Sequence, residues 1–160
     1  MILLLSELFG RDEFAQFEFS QQHVDDLLSH LHTQLAGTDQ DWAVPLESWC
    51  LEGLVSLCVS DANKGTLLKS DRLIGTLLLG LFLDKHPRGS NVPPTQQAAD
   101  PAVQTHLQQR SVEAFGQLAL SEIGRAALLQ HSAVVPALQV TRDPESTYQP
   151  GCLVGAGVLT

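Results

Sequence analysis

Residues 52–77, EGLVSLCVSDANKGTLLKSDRLIGTL, and residues 113–138, EAFGQLALSEIGRAALLQHSAVVPAL, lie 61 positions apart and align without a gap. Glu52/Glu113, Leu57/Leu118, Ser60/Ser121, Leu67/Leu128, Leu68/Leu129 and Leu77/Leu138 are identical. Leu54/Phe115, Cys58/Ala119, Val59/Leu120, Leu73/Val134 and Ile74/Val135 keep apolar character, and Lys64/Arg125 and Asp61/Glu122 keep their charge. A shift of 50 extends the pattern backwards, placing Leu4, Leu8, Phe17, Val24, Leu27, Leu28 and Leu31 on Leu54, Cys58, Leu67, Ile74, Leu77, Leu78 and Leu81. Self-similarity at a fixed offset is the mark of stacked repeats, here about three tandem units; the offsets of 50 and 61 exceed the roughly 40–47 residues of such helical repeats, and the excess lies in two loops.

Within a unit the apolar residues recur at intervals of three and four, as in Leu51, Leu54, Leu57, Cys58 and in Leu73, Leu77, Leu78, Leu81. That is the period of an amphipathic helix, and strand alternation is absent. Good N-cap types punctuate the stripes: Ser60 and Asp61, Ser70 and Asp71, and Ser132. The pattern predicts helices over about 47–60, 62–69 and 71–83, then about 101–120, 122–130 and 133–140. Pro101 and Pro136 fall near helix starts, where a missing N–H costs little. The expectation is an all-α single domain over 1–160 with units near 1–35, 46–84 and 101–143 and a partial unit at 148–160. Neither end carries a polar cap, so the chain reads as a fragment of a longer array, or as one that self-associates through uncapped ends.

The stretches SLCVSDANKGTLLKSDRLIGTLLLGL and QLALSEIGRAALLQHSAVVPAL resemble the armadillo-repeat family. Gly124 before a basic residue, followed by Leu128, Leu129, Val134, Val135 and Leu138, carries the likeness most strongly. LLLGLFLDKHPR is similar to armadillo-type modules of unicellular eukaryotes. The resemblance implies a right-handed α-α superhelix, an armadillo- or HEAT-like solenoid, whose long helices line a concave groove that takes an extended protein segment. In peptide-binding members a Trp and an Asn four apart on that helix stack on the peptide and bond its backbone. The matching places here hold Glu52 and Ser56, then Glu113 and Gln117, so that ladder is missing and an acidic step recurs instead. These four residues are the candidate partner-binding groove.

Two segments stand outside the units. Residues 36–45 form a short polar loop with Trp42 as an exposed candidate, and 85–100, rich in Pro, Gly and Ser, forms a longer loop expected to be flexible.

Composition narrows the partners. The chain of 160 residues has a net charge of −9, all of it from residues 1–60, where ten acidic residues face Arg11 alone; eight acidic and eight basic residues cancel over 61–160. An acidic chain lacks the cations needed to displace counterions from nucleic acid or to bind anionic membranes, so a protein or peptide partner of basic character is the expectation. Three cysteines without a CxxC pair, no signal-peptide core and no apolar run of membrane length point to a cytoplasmic or nuclear protein.

Signatures of catalysis are absent from the sequence. Gly75 and Gly80 interrupt an apolar helix rather than forming a phosphate loop. Asp26 and His30 could share a helix face as an ion pair. Cys50 and Cys58 read as small core residues. No catalytic residue, metal or cofactor is expected. The sequence thus indicates a non-catalytic interaction scaffold, with an accessory segment of a larger multidomain enzyme or signalling protein as the alternative.

Overall fold

A computed structural model describes residues 11–14, 16–36, 46–82 and 101–142. The stretches read above as the start of the first unit, the loop holding Trp42, the loop 85–100 and the partial unit 148–160 lie outside the described residues, Ala36 excepted. Within them every regular element is helical. A single turn at Arg11–Phe14 precedes α1 (Gln21–Leu35), α2 (Leu46–Leu57), α3 (Asp61–Leu67), α4 (Arg72–Leu81), α5 (Pro101–Ala119), α6 (Glu122–Gln130) and α7 (Val134–Arg142). The start of α6 lies 61 residues after that of α3, and the starts of α7 and α4 differ by 62, close to the sequence offset.

α1 shows how local pattern makes the core. Ser20 accepts a hydrogen bond from the His23 backbone N–H and starts the helix. Val24, Leu27, Leu28, Leu31 and Leu35 then fall on one stripe and are all buried. Each such side chain gains about 1.5–3 kcal/mol by leaving water. α4 lies against α1 on one side and α7 on another, and α5 packs on both α2 and α4. The core joins them through Leu51, Leu54, Leu57, Leu73, Leu77, Leu81, Leu107, Phe115 and Leu118.

α2 departs from the expected amphipathic groove helix. From Cys50 to Cys58 every residue except Glu52 is buried. The cause is in its composition: Cys50, Leu51, Leu54, Val55, Leu57 and Cys58 spread apolar surface around most of the helix, and from Cys50 to Cys58 only Glu52 reaches solvent. It packs against α1, α3, α5 and the first turn.

Asn63 anchors the segment that leads into α1. Its buried side chain accepts from the Phe19 N–H at 3.2 Å and donates to the Phe17 carbonyl at 2.8 Å, satisfying the backbone of a stretch without regular structure. Phe14 and Phe19 stack beside it, ring centroids 5.3 Å apart. Lys64 buries its stem and puts its ammonium 2.9 Å from Asp61.

Helix starts divide into two kinds. Ser121 accepts from the Gly124 N–H and donates to the Leu118 carbonyl, both at 3.1 Å, so one hydroxyl closes α5 and opens α6. Arg125 adds hydrogen bonds to the carbonyls of Ala119 and Leu120, completing the C-terminus of α5. Ser60 and Asp71 stand at the corresponding caps of α3 and α4 without a side-chain capping bond.

Equivalence in sequence is not equivalence in burial. Leu57/Leu118, Leu67/Leu128, Leu73/Val134 and Leu54/Phe115 are buried in both copies. Leu77 is fully buried whereas Leu138 is only half-buried, and Leu129, Leu120 and Val135 are exposed. The packing accounts for the difference between these two identical leucines: α4 is flanked by α1, α5 and α7, while α7 packs on α4 and α6.

Cys50 and Cys58 are both buried. Burial pushes the Cys58 thiol up to about 12 from its ordinary 9.0, partly offset by Lys64. Only a thiolate attacks an alkylating reagent, so neither cysteine is expected to react with iodoacetamide until the chain is unfolded. Mass spectrometry of peptides labelled with and without urea checks this; rapid labelling of Cys58 in the native protein refutes the packing. In alkaline solution the unfolded chain ionises Cys58 near pH 9 and the folded chain does not, so stability should fall between pH 9 and 12.

Candidate partner-binding face

The groove residues expected from sequence separate once α2 and α5 are packed together. Glu52 comes from α2; Glu113 and Gln117 come from α5. Arg110, one turn before Glu113, lies between the two glutamates. Its Nε is 2.8 Å from Glu52 Oε2, and one of its terminal nitrogens is 2.6 Å from Glu113 Oε2. A guanidinium has donors on more than one edge, which lets it hold two carboxylates at once. Side-chain exposures of 28% for Arg110, 32% for Glu52 and 29% for Glu113 place the trio at the surface without leaving it fully in water.

Ser56 does not share that surface. It is buried, and its hydroxyl donates to the Glu52 carbonyl one turn back at 3.0 Å. A short polar side chain buried within a helix returns its proton to its own backbone, and so it offers nothing to a partner. Gln117 is half-buried, one turn beyond Glu113 on α5. The available face is thus Glu52, Arg110, Glu113 and Gln117.

Arg110 is the residue that sequence reading missed. Its spacing of three from Glu113 on a helix was a usable signal for half of the arrangement. The other half joins residues 58 positions apart and needs α2 and α5 side by side. The acidic step is consequently not a bare pair of negative charges: one cation serves two anions and leaves a single net charge.

Clefts also lie elsewhere among the described residues. One of about 260 Å³ is bounded by Leu68, Leu73, Ile74, Ala127 and the polar edge of Asp71, Gln130 and His131. A second, of about 470 Å³ and polar, lies where α1 meets the start of α4, with Asp25, Asp26 and Asp71 facing Lys69 and Arg72; Arg72 donates to Ser29 Oγ at 3.1 Å. Among the described residues no three His, Cys, Asp or Glu side chains converge as a metal site. No helix among them is long and apolar enough to cross a membrane. Compared with protein-family models, curated proteins and solved structures, the chain matches none.

Proposed function

We propose that this protein is a non-catalytic interaction module, an armadillo-like helical solenoid that takes a cationic protein segment on the face shared by α2 and α5. The observation that carries the reading is the meeting of Glu52 and Glu113 on Arg110. These glutamates occupy the same place in two sequence units, and the packing of α2 on α5 sets them on a common surface. The contacts of α4 with α1 and α7, and of α2 with α5, are those of units stacked in chain order, which supports the solenoid.

Arg110 gives the face a built-in competitor. A lysine or arginine from a partner must displace its guanidinium from one carboxylate or share both, so the resting face screens out weak cations. Gln117 can then bond the backbone of the incoming segment.

Fluorescence polarisation with labelled lysine- and arginine-containing peptides tests the proposal. Glu52→Gln combined with Glu113→Gln keeps side-chain shape and is expected to weaken the tightest peptide at least about tenfold, while Arg110→Ala removes the competing guanidinium and is expected to tighten it by a similar factor. The reversals Glu52→Lys and Glu113→Lys should abolish binding with helicity retained in circular dichroism. Affinities indifferent to all of these changes would remove this face from consideration.

A further inference from the structure

α5 carries an uncharged outer stripe beside the charged face. Thr105, Gln109, Val112 and Gly116 are all exposed, Val112 by 42%. At 100° per residue these four fall within about 60° of arc, stacked over three turns of the helix. The buried Leu107, Ser111 and Leu118 occupy the opposite side. Glu113, Gln117 and Arg110 follow the stripe on the flank that meets Glu52 of α2, whereas the other flank holds Gln108 and Ala119. Charge therefore borders the stripe on one side only. α1 differs, because its exposed residues include Asp25 and Asp26.

We propose that the partner taken by the α2–α5 face is an amphipathic helix laid along α5, with apolar side chains over Val112 and Gly116 and a lysine or arginine on the flank of Glu52 and Glu113. This inference rests on the face proposed above and adds the conformation of its occupant. An extended segment leaves its backbone N–H and C=O groups for the groove to bond at regular intervals. The repeated places that would supply those bonds hold Glu52 and Ser56, then Glu113 and Gln117. Ser56 is buried with its hydroxyl on the Glu52 carbonyl, and the two carboxylates hold Arg110. Gln117 alone among the four is a neutral amide, so no ladder runs along the face. A helix bonds its own backbone and presents side chains at intervals of three and four, the intervals at which Thr105, Gln109, Val112 and Gly116 stand. Gln117, at the end of the stripe, then meets the end of the partner helix, where backbone groups lack partners.

Charge complementarity fixes how that helix lies. Two carboxylates on one guanidinium leave the α2 flank with one net negative charge, which a single partner cation neutralises. Gln108 and Ala119 on the far flank give a second cation nothing to pair with. The cation of the partner thus belongs on one side of its apolar stripe, as charges beside a helical seam do when they set partner choice. Gly116 lets the two backbones approach, since nothing stands within 4 Å of its Cβ direction.

Fluorescence polarisation of the full chain with designed peptides tests it. The probe is a lactam-stapled helix of about 14 residues, long enough to cover Thr105 to Gly116, with leucines at intervals of three and four and lysines on one flank. It is expected to bind at least about tenfold tighter than the same peptide unstapled and broken by a central proline. Val112→Glu and Gly116→Gln put good helix formers at exposed positions, so circular dichroism and the unfolding temperature should not fall, yet each should weaken the stapled peptide at least about tenfold. Equal affinity for the stapled and the proline-broken peptide overturns the helical occupant, as does a stapled peptide indifferent to both substitutions or one that does not bind at all. Where either of the first two results accompanies weakening by Glu52→Gln with Glu113→Gln, the acidic face stands and only the helix is lost. Indifference to the glutamate changes as well removes both.

Discussion

Replacing Gly124 by alanine is expected to break the corner between α5 and α6. A Cβ at this position would be driven into the Leu118 carbonyl and against Ser121 Oγ. That carbonyl is part of the backbone that closes α5, and it already receives the Ser121 hydroxyl. It cannot rotate away without releasing the cap at both helices. Overpacking against a fixed neighbour costs up to about 3 kcal/mol, and the lost cap adds about 1 kcal/mol more. Gly116, at an exposed position of α5, is the control, because nothing stands within 4 Å of its Cβ direction. Gly116→Ala should raise stability by about 0.5–1 kcal/mol, since alanine is the better helix former. Urea unfolding of the two variants therefore moves the midpoint in opposite directions. A neutral Gly124→Ala would mean that the α5–α6 corner is not as described.

Truncating Leu77 and Leu138 to alanine should give unequal losses although the two residues match in sequence. Leu77 is fully buried, and its removal leaves a cavity among α1, α4 and α5, costing about 2–5 kcal/mol. Leu138 keeps part of its surface in water, so its truncation forfeits roughly 1 kcal/mol of burial. Thermal and urea denaturation of both variants measures the gap. Equal losses would show that α7 is covered as thoroughly as α4.

Helix positions were legible because they depend on neighbours a few residues away. Sequence placed helices at about 47–60, 62–69, 71–83, 101–120, 122–130 and 133–140, and the described ones run 46–57, 61–67, 72–81, 101–119, 122–130 and 134–142. Stripes at three and four and small polar residues between them are local signals, and they locate elements well while leaving ends uncertain by a turn. Ser60 was read as a cap and stands at the N-cap of α3 without a side-chain bond, whereas its sequence counterpart Ser121, not singled out as a cap, makes one, since a cap type alone does not set the rotamer.

The candidate face was half legible. Glu52 and Glu113 were found from their common place in the repeat, and the Arg110–Glu113 pair was readable as a helical spacing of three. Ser56 looked like a groove residue because its spacing from Glu52 matched, but the turn of α2 that carries it is covered and its side chain is buried. The run from Cys50 to Cys58 carried that warning in its composition.

By itself the sequence determined that this chain makes helices, where they begin, and that two stretches 61 residues apart share an apolar pattern, for these depend on periodicity and caps within reach of each residue. Only the tertiary structure decided which copy of each pattern is buried, as with Leu77 against Leu138, and which charges meet, as with Glu52, Arg110 and Glu113. It also decided that Asn63 holds the backbone at Phe17 and Phe19, more than forty residues away. Burial and ion pairing are properties of what lies across the gap, and a one-dimensional pattern does not say which helix that will be.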